Sequence, residues 1–187
     1  MNPITRTLLA GTALVAIAHP LAAQTVINTA RTTPVRTSDA AAGQPSDVRI
    51  DAAGSVTAST AAAVTIDSNN DVTNAGRITV TNVDNASGIL VSGPRTADIT
   101  NSGTITIDET YTPTDSDNDG DLDGPFALGQ GRAAIRIDGS LIGNLIHSGT
   151  IVVEGNQSAG IRANGPITGT FTHDGKTTVT GNQSVGV

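Results

Sequence analysis

Between residues 115 and 123, five aspartates alternate with other residues around one glycine: Asp115, Asp117, Asp119, Asp121 and Asp123, with Gly120 among them. Counted from Asp115, oxygen donors fall at positions 1, 3, 5 and 9, and the glycine falls at position 6. That is the front of a Ca2+ loop. Alternate carboxylates converge on one hard cation, and the glycine takes the sharp turn. The backbone carbonyl of Asp121, at position 7, would join them. A full EF-hand places a bidentate glutamate at position 12, which is Phe126 here. The match is to the shorter D-x-D-x-D-G-x-x-D pattern, completed by other groups or by water. The expectation is a loop ordered by Ca2+ through these five carboxylates.

Other residues with the chemistry for a site lack the partners. His147 and His173 stand 26 residues apart, and Asn74 and Asn101 hold the related position earlier, each two residues before a glycine. Two stacked histidines lack a third metal ligand, so the column reads as a polar turn ladder. GNQSAG (155–160) and GNQSVG (181–186) miss the first glycine of a nucleophile elbow. GQGRAA (129–134) lacks the helix that a dinucleotide site needs. Asn85, Asn156 and Asn182 begin N-x-S patterns at turns, where turn chemistry accounts for them. The exposed aspartates expected on the regular coils, Asp84, Asp98, Asp138 and Asp174, are scattered and suggest no acid/base pair on neighbouring coils. No catalytic residue and no organic cofactor is assigned.

The elements that hold these residues come from a repeat. GRITV (76–80), GTITI (103–107), GTIVV (149–153) and GKTTV (175–179) are one unit. SGILV (87–91), AAIRI (133–137), AGIRA (159–163) and SVGV (184–187) are a second, in the same order. ADITNSG (97–103), GNLIHSG (143–149) and GTFTHDG (169–175) close the cycle. The period is about 26 residues, interrupted once by an insertion of 20 within 108–131. Each unit reads as a strand, and in the first unit Ile78/Val80 and Ile105/Ile107 alternate with Thr in a period of two. Three short strands per coil predict an all-β, right-handed parallel β-helix, the handedness following the usual crossover rule. Residues 76–187 are the coils proper, and 47–75 read as shorter, degenerate capping rungs. Residues 24–46, with Pro34 and Pro45, read as an extended, poorly ordered leader. The chain stops partway through a coil at Val187, which reads as the truncated front of a longer protein.

Composition fits this picture. The chain has 187 residues, no Cys, no Trp, one Tyr, two Phe and 28 Thr. Zero Cys excludes a disulfide framework, a thiolate zinc site and a cysteine nucleophile. A formal charge of −7 argues against nucleic acid as a partner. Seven acids lie in 108–123 (the five above with Asp108 and Glu109), and the rest of the chain is nearly neutral. At the front, Arg6, the apolar run 8–18, Pro20 and the small residues before Gln24 form an export signal over 1–23. The run is too short to cross a bilayer as a helix.

Several segments carry a resemblance. The signal, TVINTARTTPVRTS (25–38), AVTIDSNNDVTNAG (63–76), ITNSGTITI (99–107), ETYTPTDSDNDGDLDGPFALGQGR (109–132) and the GNQSAGI rung resemble the N-terminal passenger of a sphingomonad-type autotransporter. The resemblance implies Sec export through the periplasm and passage through a C-terminal outer-membrane β-barrel. It implies a cell-surface or secreted location. No run of alternating strands of about 10 residues stands here for that barrel, so the chain departs from the family in lacking its translocator. Passengers include adhesins, enzymes and stalks, so the family fixes no activity. The expectation is a passenger scaffold for surface adhesion or contact, its polysaccharide or protein ligand unnamed. The alternative is a polysaccharide lyase or hydrolase on the same solenoid.

Overall fold

The computed structural model describes residues 24–187; the export signal expected over 1–23 lies outside them. The described chain is all strand and turn, wound into a parallel β-solenoid of about six coils. The first coil holds β1 (Gln24–Ile27), β2 (Ala30–Arg31) and β3 (Val35–Arg36). The second holds β4 (Asp47–Ile50), β5 (Ser55–Ala58) and β6 (Ala62–Ile66). The third holds β7 (Val72–Asn74), β8 (Arg77–Thr81), β9 (Ser87–Val91) and the short β10 (Arg95–Thr96). The fourth holds β11 (Ile99–Asn101), β12 (Thr104–Asp108), β13 (Ala133–Ile137) and β14 (Leu141–Ile142). The fifth holds β15 (Leu145–His147), β16 (Thr150–Glu154), β17 (Ala159–Ala163) and β18 (Ile167–Thr168). The sixth holds β19 (Phe171–His173) and β20 (Lys176–Thr180).

Equivalent strands of successive coils pair in parallel into four sheets. Three are the sheets expected from the repeat. The fourth, β10-β14-β18, is a two-residue rung added in the third to fifth coils. Register is held by the inward residues. Val56, Ile78, Ile105 and Ile151 stack in one column, and Ala58, Val80, Ile107 and Val153 in the next. Val35, Val64, Ile89, Ile135 and Ile161 stack on the third sheet. These side chains are buried, so a slip of one residue would turn a whole apolar column outward. β-branched residues suit this narrow interior because they fit a pleated surface.

Close stacking also needs one column of glycines. At Gly76, Gly103 and Gly149 an added Cβ would lie 2.1–2.3 Å from a carbonyl oxygen of the preceding coil. A side chain there would have to push backbone apart, which explains the glycine that opens each GTITI-type unit.

Two segments differ from the sequence reading. Residues 24–46 are no loose leader. β1, β2 and β3 pair with β4, β5 and β6, and Ile27 and Val35 are buried. A cross-coil network secures the segment: Asp67 accepts from Ser38 N–H (3.0 Å) and Ser38 hydroxyl (2.9 Å), and Thr37 Oγ1 accepts from Asp67 and Ser68 N–H (3.1 Å each). The repeat signature fails here because the turns are built from these side chains and not from the glycine motif. Residues 47–66 likewise form a complete three-strand coil lying between its neighbours, so they do not cap.

Candidate functional site: the acidic insertion and its root

Ladder pairing locates the insertion. β12 ends at Asp108, and Ala133 is level with Ala159 of the next coil. Gln130 forms a parallel bridge with Asn156, so the 129–132 turn already matches the ordinary turn at 155–158. The inserted residues are therefore 109–128, inside the expected 108–131.

The aspartate loop sits at the far end of this segment. An antiparallel bridge between Thr114 and Asp123 closes its base, with Asp123 N–H donating to Thr114 O (2.9 Å). Inside, the carboxylates fold onto their own backbone. Asp115 accepts from Asn118 N–H (2.6 Å) and Gly120 N–H (3.1 Å). Asp123 accepts from Ser116 N–H (2.7 Å) and Ser116 hydroxyl (2.6 Å). The tight winding puts Asn118 at φ +61° and Gly120 at φ +101°, the left-handed region that Asn and Gly tolerate.

Of the five expected ligands, three converge. Carboxylate oxygens of Asp115, Asp117 and Asp123 lie within 4.8 Å of one another. Asp119 and Asp121 are exposed and stand outside that cluster, with Asp119 accepting from Asp121 N–H (3.1 Å). Hydrogen bonds from Ser116 hold the Asp123 carboxyl below the usual carboxylate range, so it stays ionised. Three anionic oxygens, each with a lone pair left beside its N–H bond, suit a hard cation that takes six to eight oxygen ligands in all.

The root of the insertion carries a second cluster. Glu109 and Arg132 face each other at 3.0 Å with side chains only 5% and 2% exposed. Glu109 also accepts from Leu128 N–H (2.6 Å) and Gly129 N–H (2.7 Å), tying the two ends of the insertion together. Arg132 donates to Val83 O (3.0 Å) and Glu154 O (2.6 Å), so its guanidinium joins three coils. Here burial is compensated by hydrogen bonds on both partners.

Beside this clamp lie two carboxyls that the sequence reading left apart. Ile107 pairs with Val153, so Asp108 and Glu154 end adjacent strands side by side. Burial pushes the Glu154 carboxyl up to about 7, helped by its hydrogen bond to Asp108 and by the charges of Asp108 and Glu109. An acid/base pair on neighbouring coils was not expected. The signal was present, since the outward column Thr81, Asp108, Glu154, Thr180 follows from aligning the GTITI-type units. The 20-residue insertion directly after Asp108 hid it.

The polar ladder expected at the histidines runs inside the solenoid. Asn74, Asn101 and His147 are fully buried, aligned through β7, β11 and β15. Gly76 N–H donates to Asn74 Oδ1 (3.2 Å), Asn74 Nδ2 to Asn101 Oδ1 (2.7 Å), and Asn101 Nδ2 to His147 Nδ1 (3.0 Å). The Gly76 N–H can only donate, so each amide has one allowed orientation. That fixes His147 Nδ1 as an acceptor and places the proton of the neutral ring on Nε2. His173 stacks edge-on at 5.0 Å. Burial, with a smaller effect of His173, holds His147 below the ordinary imidazole value. The described residues offer no third metal ligand beside these histidines.

Among the described residues, no helix is long and apolar enough to cross a membrane. No protein-family model, no curated protein and no solved structure matches this chain.

Proposed function

We propose that this chain is an extracellular passenger scaffold of the autotransporter type, serving surface adhesion or contact. The observation that carries the reading is a continuous, nearly neutral solenoid from which one acidic segment projects. A stack of this kind is a spacer that presents its insertions to the outside. The export signal read over 1–23 supports the same location, reached by Sec through the periplasm. The cognate outer-membrane β-barrel is the partner this route requires. Calcium belongs to the reading: Asp115, Asp117 and Asp123 hold Ca2+, with backbone carbonyls and water completing its shell, and the ion orders the insertion.

Cell fractionation with an antibody against the insertion tests the location. The expected result is protein on intact cells or in the medium, with weaker surface attachment after gene deletion. Retention of the uncleaved chain in the cytoplasm overturns the proposal.

A second reading has one specific observation in its favour. Asp108 and Glu154 end adjacent strands side by side, and the Glu154 carboxyl is pushed up to about 7 by burial, an arrangement that suits a polysaccharide hydrolase. Release of reducing ends from a polysaccharide, lost in Glu154→Gln, would favour it over the scaffold.

A further inference from the structure

Where the insertion leaves the solenoid, a cleft of about 400 Å³ opens beside the turn between β8 and β9. Asn82, Asp84, Glu109, Tyr111, Leu128 and Arg132 line it. We propose that this cleft binds a neutral saccharide, its hydroxyls taken by Asn82, Asp84, Arg132 and Tyr111, its apolar face by Tyr111 and Leu128. The inference deepens the surface-contact reading and rests on it.

The first ground is a set of polar atoms left over after the fold is satisfied. Asn82 Oδ1 is committed to Thr110 N–H (2.9 Å), and Asp84 Oδ1 to Gln130 N–H (2.9 Å). Arg132 Nη1 is committed to Glu109 and the Glu154 carbonyl, while Nη2 stands 3.8 Å from Asp84, beyond hydrogen-bond reach. Asn82 Nδ2, Asp84 Oδ2, Arg132 Nη2 and the Tyr111 hydroxyl, all on residues that line the cleft, make no hydrogen bond to another described residue. They alternate donors with acceptors at close quarters. A sugar hydroxyl is donor and acceptor at once, so neighbouring hydroxyls meet such a set in pairs.

The second ground is charge. Glu109 cancels Arg132, and Asp84 leaves the cleft negative. Phosphate, sulfate and uronate are repelled, and a neutral ligand is not. The third ground is the apolar wall. The chain has a single tyrosine, and it stands in this cleft next to Leu128, which is 63% exposed. An amphipathic ring beside an exposed aliphatic side chain covers the C–H face of a pyranose. The fourth is rigidity. Arg132 and Glu109 are held by backbone bonds on three sides, so the wall is formed before a ligand arrives, and less entropy is lost on binding.

The test is titration of the full chain with cellobiose, maltose, lactose and chitobiose, followed by NMR shifts and calorimetry, with trigalacturonate as the charged comparison. At least one neutral disaccharide is expected to bind with a Kd of about 1 mM. Asn82→Asp, which keeps Oδ1 and the turn but removes both donors, weakens that binding about tenfold, as does Tyr111→Ala. Unchanged circular dichroism and unfolding midpoint confirm the fold, and Asn82→Asp decides alone if Tyr111→Ala unfolds. No neutral binding at about 20 mM overturns the inference, as does preference for trigalacturonate or binding indifferent to both variants. Binding in the cleft by a protein whose cells do not adhere supports this inference and overturns the surface-contact reading. Adhesion with a silent cleft does the reverse. A disaccharide recovered as monosaccharides supports the cleft and favours the hydrolytic reading.

Discussion

In the regular coils, a side-chain oxygen reaches the backbone of the next coil. Asp98 N–H donates to Asp71 (2.7 Å), Asn144 N–H to Asp98 (2.7 Å) and Thr170 N–H to Asn144 (3.0 Å). In the insertion, the same kind of carboxylate turns back on its own segment, Asp115 to Asn118 and Gly120, Asp123 to Ser116. One arrangement ties neighbours together and gains from every added coil. The other organises a local turn that contributes little to the stack. The Glu109–Arg132 clamp belongs to both and is buried, which makes it the place where the distinction can be broken.

The largest effect is therefore expected at Arg132. Arg132→Met leaves Glu109 buried without its cation, and stability falls by about 3–5 kcal/mol in urea denaturation. Adding Glu109→Gln recovers most of the loss. A single variant as stable as the parent would mean that the clamp joins nothing. Next comes Gly103→Ala, whose Cβ would meet the Gly76 carbonyl at 2.2 Å. It lowers stability by about 3 kcal/mol. Gly120→Ala, in open space at φ +101°, costs about 1 kcal/mol locally and leaves the unfolding midpoint of the coils unchanged. Equal effects of the two glycine changes would erase the contrast.

Calcium sharpens the comparison from the other side. Millimolar Ca2+ slows protease cleavage within 109–128, and the effect disappears in Asp115→Asn/Asp123→Asn. The coils unfold at nearly the same denaturant concentration with and without the ion.

The smallest effect is in the pH profile. His147 has a folded value below its unfolded 6.5, so the neutral ring stabilises the fold above 6.5. That contribution is lost as pH falls below 6.5 towards the folded value. Glu154 has the opposite sign: raised from 4.5 to about 7, its protonated form favours the fold below 4.5, and this fades as pH rises through about 7. His147→Asn, which continues the amide column, removes the acid-side loss in thermal melts. Glu154→Gln removes the decline near neutrality. Melts of either variant that track the parent at every pH would contradict the assignment.

The coil architecture was readable because side-chain period and repeat period agree. Ile105 and Ile107 alternate with Thr within a strand, and each recurs in the next coil with its glycine in front. The first coil was not readable, because its turns rest on Thr37, Ser38 and Asp67 and not on that glycine. In the loop, alternation pointed to five aspartates. Three-dimensional winding selected Asp115, Asp117 and Asp123, since the left-handed turn at Asn118 and Gly120 takes Asp119 and Asp121 away from the cluster. The Asp108–Glu154 pair and the cleft depend on contacts across the insertion, where sequence distance says nothing about proximity.

The stepwise registers carry a mechanical consequence. Each coil touches only its neighbours, so a solenoid pulled from its ends gives way one coil at a time. Leu145 and Phe171 are level across 26 residues, and a coil of that length releases roughly 90 Å of chain. Ile99 and Leu145 are level across 46 residues, and that coil releases roughly 160 Å. In a force trace, the acidic segment is the single long interval in an otherwise even series, and it records how far the unravelling has travelled.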